Sequence, residues 1–182
     1  VPLRFLYGQR VAQIVPFTDA RARFTELLDD VEARHEHVVV TRKGRPAAVV
    51  VSPEEWDAID ETLEVLQDEE TLDELRESAK DVKADRLFGL EDFGANSGSS
   101  ELRLTRGAKD RLEALPQAVQ EAVLQTLLLI HGEPEKMGKR LVGLAWERMA
   151  GLWAARAGSY RILYTIEPHG VLVRAIRHRA VR

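Results

Sequence analysis

The chain predicts an α+β protein in successive segments, and three observations carry that prediction. Short β-branched runs alternate with amphipathic helical stretches at both ends of the sequence. Charge is segregated: residues 53–93 hold sixteen acids against four bases, whereas 1–52 carry a net +2 and 101–182 a net +6, within an overall −4. A Gly/Ser-rich run, Gly94-Ala95-Asn96-Ser97-Gly98-Ser99-Ser100, punctuates the chain. The expected order is an extension over 1–12, a β-α-β-β unit over 13–52, an acidic helical arm over 53–93, a linker over 94–100, and a β-α-α-β-β-β layer over 101–182. In that last layer helices cover one face of an antiparallel sheet.

In the first unit, Ala12–Pro16 has strand character, and Thr18 stands where an N-cap oxygen would accept backbone N–H groups. The helix should run from Asp19 to about Arg34, with Ala20, Phe24, Leu27, Leu28 and Val31 on its apolar face. His37–Thr41 and Pro46–Val51 read as strands joined by Arg42-Lys43-Gly44-Arg45, a turn whose glycine can take positive φ. Such a small unit buries too little surface to stand alone, so dimerisation through residues 13–52 is expected.

Ser52-Pro53-Glu54-Glu55 starts the arm with an N-cap, a proline at the first helical position and a capping-box glutamate. Trp56, Ile59, Leu63 and Leu66 form one stripe; Leu72, Leu75, Ala79 and Val82 form another after a break near Asp68–Glu70. Charge alone favours a solvated helix face. The same asymmetry also suggests an element that can cover a basic surface, and the stripes need a partner, either another copy or the downstream segment.

Beyond the linker, which reaches about 14 Å as a Gly/Ser coil, Glu101–Thr105 alternates as a strand. Helices follow across Gly107–Leu115 and Pro116–His131, then a polar loop over Glu133–Lys139. Leu152–Ala157, Ser159–Ile166 and Val171–Arg177 complete the layer as three strands. The absence of cysteine removes disulfides and thiolate metal sites and fits a reducing compartment. No apolar run is long enough for a membrane span, and Val1–Phe17 is too often interrupted by polar residues for a signal peptide, so a cytoplasmic location is expected. His35, His37, His131 and His169 show no metal-ligand spacing; neither a metal nor a cofactor is expected.

Residues 13–93 resemble the Phd/YefM antitoxins. The resemblance lies in Gln13-Ile14-Val15-Pro16-Phe17-Thr18-Asp19-Ala20-Arg21, continuing to Val31, and in Val38–Trp56 with its Thr41-Arg42-Lys43-Gly44-Arg45 turn. It implies a dimeric unit that binds operator DNA and represses its own operon, followed by a segment that wraps a toxin. Arg21 and Arg42 fall where that family contacts DNA, with Arg23, Lys43 and Arg45 as basic neighbours. Arginine suits the role because it neutralises phosphates or forks onto guanine. Trp56, Ile59, Leu63, Leu66, Leu72 and Leu75 are the expected toxin-neutralising contacts, within or between chains.

Residues 101–182 resemble the RelE/ParE toxins through Leu112-Glu113-Ala114-Leu115-Pro116, Gly138-Lys139-Arg140-Leu141-Val142-Gly143, Arg156-Ala157-Gly158-Ser159-Tyr160-Arg161-Ile162-Leu163-Tyr164 and His178-Arg179. Resemblance to RelE implies metal-independent cleavage of messenger RNA on the ribosome. Arg161 and Arg179 align with functional arginines, Arg156 is a phosphate contact, His178 is the titratable acid or base, and Lys139 and Arg140 grip phosphates. Guanidinium stays protonated, so the arginines can stabilise a phosphorane but not move protons. The chain has Ala154 and Ala157 where many members are basic, and no tyrosine among Ala180-Val181-Arg182. Two alternatives follow: a ParE-like inhibitor of DNA gyrase without catalysis, and a weakened toxin acting as co-repressor.

Overall fold

The structure is a computed structural model that describes residues 13–34, 37–90, 101–142 and 151–179. The extension 1–12, residues 91–93, the linker 94–100 and His35 lie outside the described residues. The chain forms two compact units, residues 1–60 and 61–182.

In the first unit, β1 (Gln13–Pro16) leads into α1 (Phe17–Ala22) and α2 (Phe24–Arg34), then β2 (Val38–Arg42), β3 (Arg45–Val50) and the start of α3 (Pro53–Gln67). The expected single helix is two: the chain turns at Arg23, whose N–H bonds Asp19 O at 3.0 Å. Thr18 lies inside α1 rather than capping it, since Pro16 holds the N-cap position. The sheet order is β1-β2-β3, parallel then antiparallel. Lys43 and Gly44 both have positive φ, 52° and 73°, so two consecutive left-handed residues close the tight hairpin. Val15, Ala20, Leu27, Val31 and Val38 make the core. Phe24 and Leu28, expected inside, are exposed, as are Ile14, Phe17 and Val49.

Ser52 caps α3 by accepting the Glu55 N–H at 3.2 Å. The Glu55 carboxylate pairs at 2.5 Å with buried His37, giving that histidine a structural partner. Asp68 separates α3 from α4 (Glu69–Lys83) and caps the latter, its Oδ1 accepting the Thr71 N–H at 3.1 Å.

The second unit begins at Glu61 and takes in most of the arm. After α4 the arm is not helical to its end: Leu87–Gly89 forms strand β4. Next come β5 (Glu101–Thr105), α5 (Arg106–Glu113), α6 (Gln117–Gly132), α7 (Pro134–Met137), β6 (Lys139–Arg140), β7 (Leu152–Ala157), β8 (Tyr160–Glu167) and β9 (Gly170–His178). The expected polar loop at 133–139 thus holds a short helix. The sheet runs β4-β5-β9-β8-β7-β6. It is not wholly antiparallel, because β5 pairs with β9 in parallel.

Alternation along the strands divides this unit into three layers. Ile162, Tyr164, Ala155, Ala157, Val173 and Ile176 pack with Ala108, Leu112, Val123, Leu127 and Ile130 of α5 and α6. Leu152, Ala154, Leu163 and Ala175 turn the other way and pack with Val65, Leu72 and Leu75 of the arm. Within 101–182 the helices cover one face, as the sequence predicted, and the arm covers the other.

Candidate functional site

The arm-facing side of the sheet carries the candidate site. Arg156 shares a face with Leu152 and Ala154 on β7, and Arg161 shares one with Leu163 on β8. Arg177 follows Ala175 on β9, and Arg179 lies one residue beyond that strand. A bulge in the β8–β9 ladder between Leu163 and Tyr164 adds Arg174 to the same side, where its Nε donates to Ser78 Oγ of α4.

Two arm carboxylates bring three of the expected residues together. Arg156 Nη2 lies 2.6 Å from Glu61 Oε2, and Arg161 Nε donates to Glu61 Oε1. Arg161 Nη2 also donates to Glu64 Oε2, while Arg179 Nη2 lies 2.8 Å from both Glu64 oxygens. Burial, the largest single influence on Glu61, pushes its carboxyl up; hydrogen bonds from Arg156 and Arg161, with their charges, outweigh it and hold the group below its ordinary value. Glu61 is therefore held as an anion, and both carboxylates are seated on guanidiniums, a geometry guanidinium also offers to phosphate.

His178 is not part of this arrangement. It lies between Arg177 and Arg179 on alternating backbone, so its ring turns to the opposite face, edge-on to Tyr160 with centroids 5.2 Å apart. Tyr164 also faces the α5 and α6 side; its hydroxyl donates to Pro134 O at 2.6 Å, and burial pushes the phenol upward, so it stays protonated. At the sheet margin, Lys139 pairs with Ala154 on the arginine face, whereas Arg140 pairs with Trp153, which packs on the other. Lys139 and Arg140 thus turn to different sides.

The expected apolar contacts divide likewise. Leu72 and Leu75 are buried on the sheet. Trp56 is 62% exposed and Leu63 49%, Leu66 is also exposed, and Ile59 is half-buried. The packed side of α3 carries Glu61, Thr62 and Val65 instead, on about the opposite side of the helix from Leu63. Magnitudes explain the choice: burying a leucine contributes about 1.5–3 kcal/mol, whereas an unpaired buried arginine costs about 3–5 kcal/mol. Further arm contacts escaped the sequence reading. Thr62 Oγ1 accepts the Val142 N–H at 3.0 Å. Asp81 Oδ2 accepts the Arg106 N–H, the first of α5, at 3.1 Å, so the arm caps a helix whose own Thr105 side chain makes no cap. The available signal was Glu61 and Glu64, one helical turn apart beside Val65.

In the first unit, Arg21 is exposed on α1, and Arg42 and Lys43 are exposed at the hairpin turn. Arg23, at the helix break, pairs with Glu26 at 2.7 Å. No helix among the described residues is long and apolar enough to cross a membrane.

Residues 12–85 match the family described as "Antitoxin Phd_YefM, type II toxin-antitoxin system", and residues 102–181 that described as "ParE toxin of type II toxin-antitoxin system, parDE". The antitoxin RelB of Mycobacterium tuberculosis is 41% identical over 80 residues, spanning 44% of this chain and 90% of that protein. Antitoxin RelF of the same organism is 28% identical over 86 residues, 47% of this chain and 92% of RelF. Among solved structures, the toxin–antitoxin complex RelBE2 of M. tuberculosis matches 44% of this chain and 99% of the compared chain at 32% identity, TM-score 0.39. The RelE–RelB complex of Pyrococcus horikoshii OT3 matches 46% and 99% at 21% identity, TM-score 0.38.

Proposed function

Because the chain belongs to the Phd/YefM antitoxin family and carries, fused behind that region, a RelE/ParE-type toxin domain of a type II toxin–antitoxin system, we propose that its acidic arm silences the toxin by occupying the arginines that would otherwise hold nucleic-acid phosphate. The observation that carries this reading is the convergence of Arg156, Arg161 and Arg179 on Glu61 and Glu64. With the arm displaced, three permanently charged guanidiniums are left on one sheet face, suited to a phosphate that gains charge in a transition state.

The reaction in this reading is ribosome-dependent cleavage of messenger RNA. A ribose 2′-oxygen bonds to the adjacent phosphorus and the bond to the departing 5′-oxygen breaks. The 2′ proton passes to a base, and the leaving oxygen receives one. The arginines stabilise the dianionic phosphorane; the proton carriers come from outside their cluster, since His178 and Tyr164 face the other side. The first unit is assigned operator binding, with Arg21, Arg42 and Lys43 on phosphates or bases and Arg23 beside them. It is also assigned homodimerisation, supported by the exposed apolar residues Ile14, Phe17, Phe24, Leu28 and Val49. A cytoplasmic location fits both tasks.

The orientation of His178 and Tyr164 favours a second reading, a ParE-like toxin that binds DNA gyrase without catalysis. One experiment separates the two. The full chain with Glu61→Gln and Glu64→Gln is incubated with ribosomes stalled on a defined message and, separately, with gyrase and relaxed plasmid. Cuts in the message with supercoiling unaffected support the ribonuclease; an intact message with supercoiling inhibited supports the gyrase reading.

A further inference from the structure

Arg156 pairs directly across the strands with Arg161, and Arg161 pairs directly with Arg177. Three neighbouring strands therefore each contribute one arginine to a single row across the sheet. Directly opposed side chains lie about 5 Å apart, and like charges there repel. Such a row is unfavourable without an anion laid along it.

The arm accounts for part of the row only. Arg161 uses two nitrogens on two carboxylates, and Arg179 forks onto Glu64. Arg177 Nη2 donates to Glu70, whose side chain is 79% exposed, and Nη1 stands 3.7 Å from Glu74 Oε2. Arg177 Nε and Glu74 Oε1 are buried, and neither has a hydrogen-bond partner among the described residues. Pairs that are exposed or half-met add little to stability. In the resting fold Arg177 is thus held by looser contacts than Arg161, although its largely buried charge also acts on Glu74 and Asp68.

We propose that Arg177 is a fourth phosphate-binding residue of the toxin face, and that the Arg156–Arg161–Arg177 row holds one single-stranded nucleic-acid segment laid across β7, β8 and β9. Its phosphates take the places that Glu61, Glu64, Glu70 and Glu74 hold in the resting chain. The inference rests on the ribonuclease reading above. Arg177 binds the strand and moves no proton, because guanidinium does not titrate at working pH.

The test uses the full chain opened by Glu61→Gln, Glu64→Gln and Glu70→Gln, its arm verified as released by tryptic cutting at Lys80. Fluorescence anisotropy follows a short labelled single-stranded RNA of mixed sequence over a salt series. Adding Arg177→Gln should weaken binding about tenfold and reduce the slope of log affinity against log salt by about 0.7. Arg177→Lys should restore the slope. In the unopened chain, Arg177→Gln should shift the unfolding temperature by less than about 2 °C, where Arg161→Gln lowers it by several degrees. The proposal is overturned if Arg177→Gln leaves RNA affinity and slope unchanged while Arg161→Gln abolishes binding; Arg177 is then only a partner of the arm, and the ribonuclease reading stands. An opened chain that binds no RNA overturns that reading, and this proposal with it.

Discussion

Arg161 and Glu61 are buried against each other, their side chains 3% and 2% exposed, with Arg161 Nε donating to Glu61 Oε1. Burying two charges together adds little net stability, because desolvation offsets their attraction, but removing one partner strands the other. Glu61→Ala should therefore cost about 3–5 kcal/mol in urea unfolding. Combining it with Arg161→Leu should recover most of that loss. Glu64→Gln, at a more open position, should cost about 1 kcal/mol. If the double variant is no more stable than Glu61→Ala alone, the pair is not the source of the cost.

Two carboxylates on the same face give opposite pH dependences. Burial raises Glu61, but the bonds from Arg156 and Arg161 outweigh it, and the folded value lies below the ordinary 4.5. Its contribution is therefore present above 4.5 and lost as pH falls through the depressed folded value. Glu74 is raised from 4.5, chiefly by burial, with the Arg177 charge opposing. Its contribution is full below 4.5 and lost as pH rises through the raised value, so at neutral pH the ionised group is a burden. Urea midpoints of Glu74→Gln should equal or exceed those of the parent at neutral pH, with the difference vanishing near pH 4.5. A variant less stable than the parent at neutral pH would contradict this assignment.

Asp81 ties the arm to the toxin domain through the first N–H of α5, and within the arm it accepts from Arg86 Nε at 2.9 Å. Asp81→Ala removes a cap and should cost about 1–2 kcal/mol. Amide exchange should locate the loss in the first turn of α5 and the last turn of α4. Loss spread evenly over the unit would count against a capping role.

Gly138 lies where the chain passes over the Tyr164 hydroxyl: a Cβ there would stand 2.1 Å from Oη and 3.1 Å from Ala154 O. Tyr164 is fully buried and bonded to Pro134, so it cannot withdraw cheaply. Gly138→Ala should cost about 1–3 kcal/mol, and Tyr164→Phe in the same chain should relieve part of it. Thermal unfolding of the two single variants and the double checks both statements.

Much of the architecture was legible because it is local. Val38–Arg42 and Arg45–Val50 announce a hairpin by β-branched runs around a glycine turn, and Asp68 marks the helix break that the periodicity implied. The toxin strands β7, β8 and β9 begin and end within a residue or two of the expected positions. The non-local features were not legible. Nothing near Leu87 signals that it will pair with Thr105 as an edge strand, and nothing near Glu101 signals a parallel partner at Gly170. Arg156, Arg161 and Arg179, which Glu61 and Glu64 bring together, were singled out through motif resemblance. The side on which His178 points depends on strand phase, which a motif does not encode. On α3 the larger apolar stripe of Trp56, Leu63 and Leu66 masked the packed side, because periodicity weighs hydrophobic size and cannot see a buried arginine awaiting a carboxylate.

On the proposed function, Glu61 and Glu64 keep the toxin silent by occupying its arginines. The most direct measurement is cell-free protein synthesis in the presence of the full chain, its Glu61→Gln/Glu64→Gln variant, and that variant carrying Arg161→Gln as well. Synthesis should be unaffected by the parent, arrested by the double variant and restored by the third change. Undiminished synthesis with the double variant, its arm shown by proteolysis to be released, would contradict the proposed function.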